Sequence, residues 1–506
     1  MSRKDASSSD YNKLFFQKII FIILMSQIFL ITACTINIDN KNVGHQVWIP
    51  WPNRDGQYRL QKIQIDTINQ WSPIRGSAIN IRSHFTPINQ TQATATEVVM
   101  DYTTDSSGAV IPMTQYSLEI ASIYANFERL QQLDQKLGII DSNIARNVYV
   151  KFKSYKDGYM MTNNALYNVI TNAFYIVPYT NSGLPISVNG AILAHEHFHS
   201  IFGRLLQEPL FQYAKSKNVD LFEDYAEEEN SFFKNEFGEL YSENGLIENK
   251  DESPESEAKK EFREKLLGDS GVFANYHLNR IFLMALNEGL ADVWAWLYSD
   301  NPCFIAPSLD LTSYQYASDL WGEFDSKIPT IDELVTSIDS NYQFKLDDHD
   351  NRCLNVKQSK LVKRKASDVI NKEKLISVHT KMKKTNSKGL LKLEKDTLPI
   401  FGYRLGTNLA RLLYHRLEER GEIFNHDAQT LLAKHIINIL PQLLTKIKEV
   451  YVDGMKIKSL FPWDEAVDLL VFGEGSPDIS KENCQTWVNT LNGESPLENF
   501  KKKCGL

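Results

Sequence analysis

The chain has 506 residues, 42% of them hydrophobic and 23% charged, an ordinary globular balance that excludes a disordered or fibrous protein. At about 100–200 residues per domain, this length implies two or three domains and a core that needs no disulfides to fold. Its 55 Lys and Arg against 63 Asp and Glu leave a net charge of −8, which repels phosphate backbones, so nucleic acid is not an expected partner.

The first element is an apolar run, Ile19 to Thr32, behind Arg3, Lys4, Lys13 and Lys18; it has the layout of a secretory signal and is short for a membrane span. It ends in Ile31, Thr32, Ala33 and Cys34, which resembles a bacterial lipobox. The resemblance implies removal of residues 1–33, lipidation of Cys34, and export to the cell envelope with an anchor in the lipid bilayer, expected at the outer membrane. A plain signal peptide or an uncleaved anchor is the alternative. Without Cys34, an even set remains: Cys303, Cys353, Cys484 and Cys504. Three pairings are open; pairing of sequence neighbours, Cys303 with Cys353 and Cys484 with Cys504, suits an oxidising compartment.

Residues 34–57, rich in Asn and broken by Pro50 and Pro52, read as a tether. A β-rich subdomain is expected over residues 58–207. Tyr58, Leu60, Ile63 and Ile65 nearly alternate, and Val98 to Met100 read as another strand. Ile120, Ile123, Tyr124, Phe127, Leu130 and Leu133 recur at three and four, which predicts a helix from Tyr116 to Leu137 that ends near Gly138. Val148, Val150 and Phe152 predict a strand, and Ala173 to Val177 a further one. Residues 208–270 form an acidic insertion without core periodicity from Glu248 to Lys260. A helical subdomain spans residues 271–475, with helices expected at Tyr276 to Tyr298, Ile331 to Ile338, Gly402 to Arg420, Ala428 to Val450 and Pro462 to Phe472. It carries a basic insertion at residues 356–395, and residues 476–506 read as a closing tail. There is no internal repeat.

The chemistry-bearing segment is Ala191 to Leu205, an apolar helix pattern interrupted by His195, Glu196, His197 and His199. Residues four apart share a helix face, so His195 and His199 can hold one ion, while Glu196 is turned aside by about 100° and can act on a water there. With 11 His in 506 residues, this HExxH pattern is expected by chance only about 0.02 times. His197 points elsewhere and reads as a hydrogen-bonded residue. A catalytic zinc needs a third protein ligand. The continuation HExxHxxGxxH is excluded, because Phe202 and Leu205 occupy its positions. Asn287 to Asp292, reading NEGLAD inside an apolar helix pattern, offers two carboxylates that need partners if buried.

HExxH followed by NExxxD resembles the gluzincins, the thermolysin-like zinc metallopeptidases. The resemblance implies an α+β, zincin-like fold and Zn²⁺ as cofactor, held by His195, His199 and Glu288. It implies Glu196 as the general base acting on zinc-bound water, and Asp292 as the carboxylate that orients the first histidine. Asn172, Ala173 and Phe174 resemble the family's NAFW-like edge strand, which implies binding of an extended peptide or protein substrate there. The stretch between His199 and Glu288 is longer than in the family and holds the acidic insertion, so the likeness is to a divergent member. An oxyanion donor is sought among His379, Tyr403, Arg404, Tyr414 and His415. Tyr403, at a helix start behind Gly402, is the expected one, with Arg404 as its neighbour. The competing expectation is an inactive zincin-fold lipoprotein that binds partners at the envelope.

Overall fold

The computed structural model describes residues 45–52, 58–85, 94–139, 145–151, 154–156, 159–161, 164–169, 172–177, 184–216, 268–305, 308, 352–355, 372–382, 398–450, 463–472, 481–491 and 497–506. The signal segment 1–33, Cys34, the segment Glu248 to Lys260 and the helix expected at Ile331 to Ile338 lie outside them. No described helix is long and apolar enough to cross a membrane.

The protein is mixed α+β, with a β-rich amino-terminal part and a helical carboxy-terminal part. Thirteen described strands come first. β1 (Gln46–Pro52), β2 (Tyr58–Gln64), β7 (Tyr102–Thr104) and β8 (Val110–Pro112) form a sheet in the order β2–β1–β8–β7. β3 (Ile68–Trp71) pairs with β4 (Ile74–Gly76), and β10 (Ser154–Lys156) with β11 (Tyr159–Met161). The five-stranded sheet runs β12–β13–β9–β5–β6: β12 (Asn164–Asn168), β13 (Ala173–Val177), β9 (Arg146–Lys151), β5 (Ile79–Phe85) and β6 (Thr94–Glu97). Its three middle strands are parallel, and both outer strands are antiparallel to their neighbours.

β1 corrects the tether: Val47, Ile49 and Trp51 alternate into the core within the stretch read as polar. Proline masked that alternation. β8 joins β1 only at Val47, so Pro50 and Pro52 lie beyond that ladder. Val98 to Met100 form no strand; Val98 and Met100 are buried anchors of a connection whose Val98 carbonyl accepts from Ile74 N–H.

Helix α1 (Gln115–Leu137) is capped by Thr114 and ends at Gly138 with φ 74°, the left-handed stop that glycine adopts most easily. α2 (Gly190–Phe202) carries the HExxH residues and runs through a π turn, Gly203–Gln207, into α3 (Glu208–Ser216). The acidic insertion therefore starts at least nine residues later than its composition suggested. Both α1 and α2 cover one face of the five-stranded sheet, where Phe174 of β13 meets Phe127 at 4.7 Å and His197 at 6.3 Å.

The helical part is built on α4 (Ser270–Ser299), capped by Asp269 and mostly apolar, as a helix buried on most sides must be. It packs on α2 through Phe198 and Trp294, 5.3 Å apart. α5 (Lys372–Met382) lies inside the expected basic insertion yet buries Leu375, Val378 and His379; scattered lysines hid its apolar face. α6 (Leu398–Glu419), α7 (His426–Val450) and α8 (Trp463–Phe472) follow. The expected tail instead forms α9 (Lys481–Leu491) and α10 (Glu498–Lys503), joined by the Cys484–Cys504 disulfide, with Trp487 and Phe500 fully buried. The other disulfide is Cys303–Cys353.

α4 and α6 cross with their backbones touching. A Cβ on Gly289 would sit 2.4 Å from the Gly406 carbonyl oxygen, and one on Gly406 would sit 2.7 Å from that of Ala285. In an uncrowded helix, Gly→Ala stabilises by about 1 kcal/mol. Gly289→Ala is instead expected to cost about 1–3 kcal/mol by overpacking, seen as a lower thermal midpoint; a raised midpoint would show that the helices do not meet there.

Candidate metal centre

The ligand geometry starts from two helices. His195 and His199, one turn apart on α2, bring their Nε2 atoms within 3.1 Å, with the rings edge to face. Glu288 on α4 closes the group: Oε2 lies 3.4 Å from His195 Nε2, and Oε1 3.7 Å from His199 Nε2. These three residues could hold a metal ion. One ligand atom from each residue lies within 4.8 Å of the others, near enough to share an ion whose bonds are about 2.0–2.1 Å long.

The far side of each imidazole strengthens this reading. His195 Nδ1 lies 3.1 Å from Asp292 Oδ1, and His199 Nδ1 lies 2.9 Å from Asn287 Oδ1. Each carbonyl or carboxylate oxygen favours a proton on Nδ1, so the two Nε2 lone pairs face each other and need a cation between them. Burial opposes charge on His195, but Asp292 and Glu288 outweigh it and raise its pKa to about 9. Burial brings His199 down to about 4. Burial also acts to raise Glu288, yet His199, His195 and Arg352 outweigh it and lower the pKa to about 2. One proton thus serves the imidazole pair near neutrality, and a metal ion that binds there displaces it.

Glu196, turned by about 100° from His195 on α2, is not one of the three grouped residues, but His195, Glu288 and Arg352 all act on its charge. Its carboxylate accepts from the Tyr167 backbone N–H of β12, and its pKa is raised to about 7, chiefly by burial, with His195 and Arg352 opposing. A carboxylate in that state can exchange protons near neutral pH.

Tyr403, on α6, is brought to this site. Its ring lies under the Arg352 guanidinium, 4.7 Å from centroid to Cζ. Its pKa is raised, first by the charge of Glu288 and then by burial, so the hydroxyl stays a donor. The cation beside it is Arg352 rather than the expected Arg404. The other candidate donors lie elsewhere. His379 packs on Phe273, fifteen residues or about 22 Å along α4 from Glu288. Tyr414 packs on Trp296, and His415 pairs with Glu418 beside Trp487.

His197 is held by Asp134 at 2.9 Å, which Arg146 also approaches at 3.3 Å, so it ties α2 to α1 and β9. The peptide strand expected at Asn172–Phe174 is corrected. β13 lies between β12 and β9, Phe174 is core, and Asn172 is a turn residue with φ 47° whose side chain accepts from Tyr167 Oη. The outer strand beside Glu196 is β12, whose short pattern Asn164–Asn168 gave no distinctive signal.

Three contributors were missed in the sequence. Asn287 was visible only as part of NEGLAD, and its role follows from the inter-helix geometry. Arg352 donates from Nη1 to Glu288 Oε2 and Asp292 Oδ1, both at 3.1 Å. It stands 64 residues from Glu288, beyond any motif spacing. Thr407 of α6 donates to Asp292 Oδ2 at 3.2 Å.

Comparison with protein-family models, with curated proteins and with solved structures finds no match. Asp292→Ala and Asn287→Ala are each expected to weaken metal binding by about 10–100-fold, as titrated against a chelator of known affinity. His197→Gln should leave the metal stoichiometry unchanged, and its loss would make His197 a ligand.

Proposed function

We propose that this chain is a zinc-dependent endopeptidase of divergent gluzincin type, with a zincin-like core, exported and lipid-anchored to the bacterial envelope. The observation that carries the reading is the His195–His199–Glu288 group, close enough to share one ion, with Glu196 beside it at a pKa raised to about 7. A His₂Glu donor set suits zinc, whose bound form would polarise a scissile carbonyl and acidify water.

The protein's own residues do the rest. Glu196 takes the proton of the attacking water on its carboxylate and returns it to the leaving amine. The protonated Tyr403 hydroxyl donates to the oxygen on which negative charge develops. Asp292 and Asn287 keep the two imidazoles facing one another. A peptide or protein substrate lies in extended form along β12, by strand addition. The Tyr167 N–H already points to Glu196, and Ala165, two residues away, presents its backbone in the same direction. The lipid anchor rests on Cys34, and the pairing of the four remaining cysteines supports an oxidising compartment.

Glu196→Gln is expected to retain zinc and lose peptide hydrolysis by at least about 10²-fold, and Tyr403→Phe to lower kcat by about 10² with zinc content unchanged. Full turnover by the Glu196 variant would leave the chain a metal-binding scaffold. Cys34→Ser should abolish acyl labelling, and persistent label would overturn the anchor.

A further inference from the structure

Arg352 sits on no helix. Within the described segment 352–355 it is held in place by its neighbours: Cys353 is bonded to Cys303, Leu354 N–H donates to the Pro302 carbonyl at 2.8 Å, and Arg411 Nε donates to the Cys353 carbonyl at 3.1 Å. From there its guanidinium spans the two carboxylates of α4 and stands 3.4 Å from His195 Nε2. The other half of the same disulfide also reaches His195. Phe304, one residue after Cys303, stacks on that imidazole at 5.8 Å. The Phe304 carbonyl accepts from Asn189, the residue whose side chain caps α2.

The Cys303–Cys353 bond therefore joins two segments that touch the same ligand from different sides. Glu288 and Asp292 lie four residues apart on one helix face, where two buried negative charges repel. Arg352 is the cation between them, its Nη1 donating to one oxygen of each. We infer that the Cys303–Cys353 disulfide is the device that positions Arg352, and through it Glu288 and Asp292, so that the centre reaches full metal affinity only with that bond closed. This rests on the metal-binding reading above. Arg352 is in this sense a positioning residue, acting through Glu288 and Asp292.

The test titrates the oxidised full chain with Zn²⁺ against a competing chelator. Cys303→Ser with Cys353→Ser is expected to weaken Zn²⁺ binding by about 10–100-fold, and Arg352→Gln, with the disulfide intact, by a similar factor. Arg352→Lys should recover part of the loss. Combining all three substitutions should weaken binding no further than either change alone, because both act through one contact. Cys484→Ser with Cys504→Ser removes a disulfide remote from the ligands and is expected to lower the thermal midpoint while Zn²⁺ affinity holds, which separates loss of positioning from general loss of stability. Wild-type affinity in the folded Cys303/Cys353 variant overturns the inference, as do losses that multiply in the combined variant. If the unaltered chain itself takes up no Zn²⁺, the metal reading falls and the inference with it.

Discussion

Two carboxylates buried on one face of a long helix cannot remain charged without partners, and this requirement arranges everything around them. Glu288 and Asp292 lie on α4, the apolar axis of the helical part. An unpaired buried carboxylate would take up a proton or force the helix apart. Each instead meets a set of donors from separate elements: His195 and His199 from α2, Arg352 from the disulfide-bonded segment, and Thr407 from α6. The partners come from distant parts of the chain, so the site exists only when the helices are docked.

That docking depends on an absence of side chains. Gly289 lies between Glu288 and the next turn of α4, and Gly406 meets it from α6 with no room for a Cβ on either. The close approach brings Tyr403 and Thr407, on α6, within reach of Glu288 and Asp292. α2 is held against α4 through Phe198 and Trp294, and against α1 through the neighbouring His197 and Asp134. His197 thus serves the register of α2 against α1, and His195 and His199 face Glu288 in the group that could hold an ion.

The five-stranded sheet contributes position rather than chemistry. Its parallel centre is buried beneath α1 and α2, while the antiparallel β12 leaves one side beside Glu196. An outer strand has backbone groups to offer an extended chain; an interior strand has already used them. For this reason the proposed peptide contact is at β12 and not at Asn172–Phe174.

Local order was largely legible in the sequence. The period of α1, its glycine stop, the Ala173–Val177 strand and the HExxH and NEGLAD helices follow from spacing, because a helix face or a strand face repeats over a few residues. The pairing of cysteines by sequence neighbourhood also holds. Where local composition opposed tertiary packing, the reading went astray. Prolines concealed β1, lysines concealed α5, and a polar ending concealed α9 and α10, each of which is stabilised by burial against elements far away. Spacing along one helix sets which residues could be ligands. Only the folded chain decides which of them meet, since Asn287 facing His199, Arg352 between two carboxylates, Tyr403 beside Glu288 and β12 beside Glu196 are contacts between elements, and no local repeat encodes the distance across an interface.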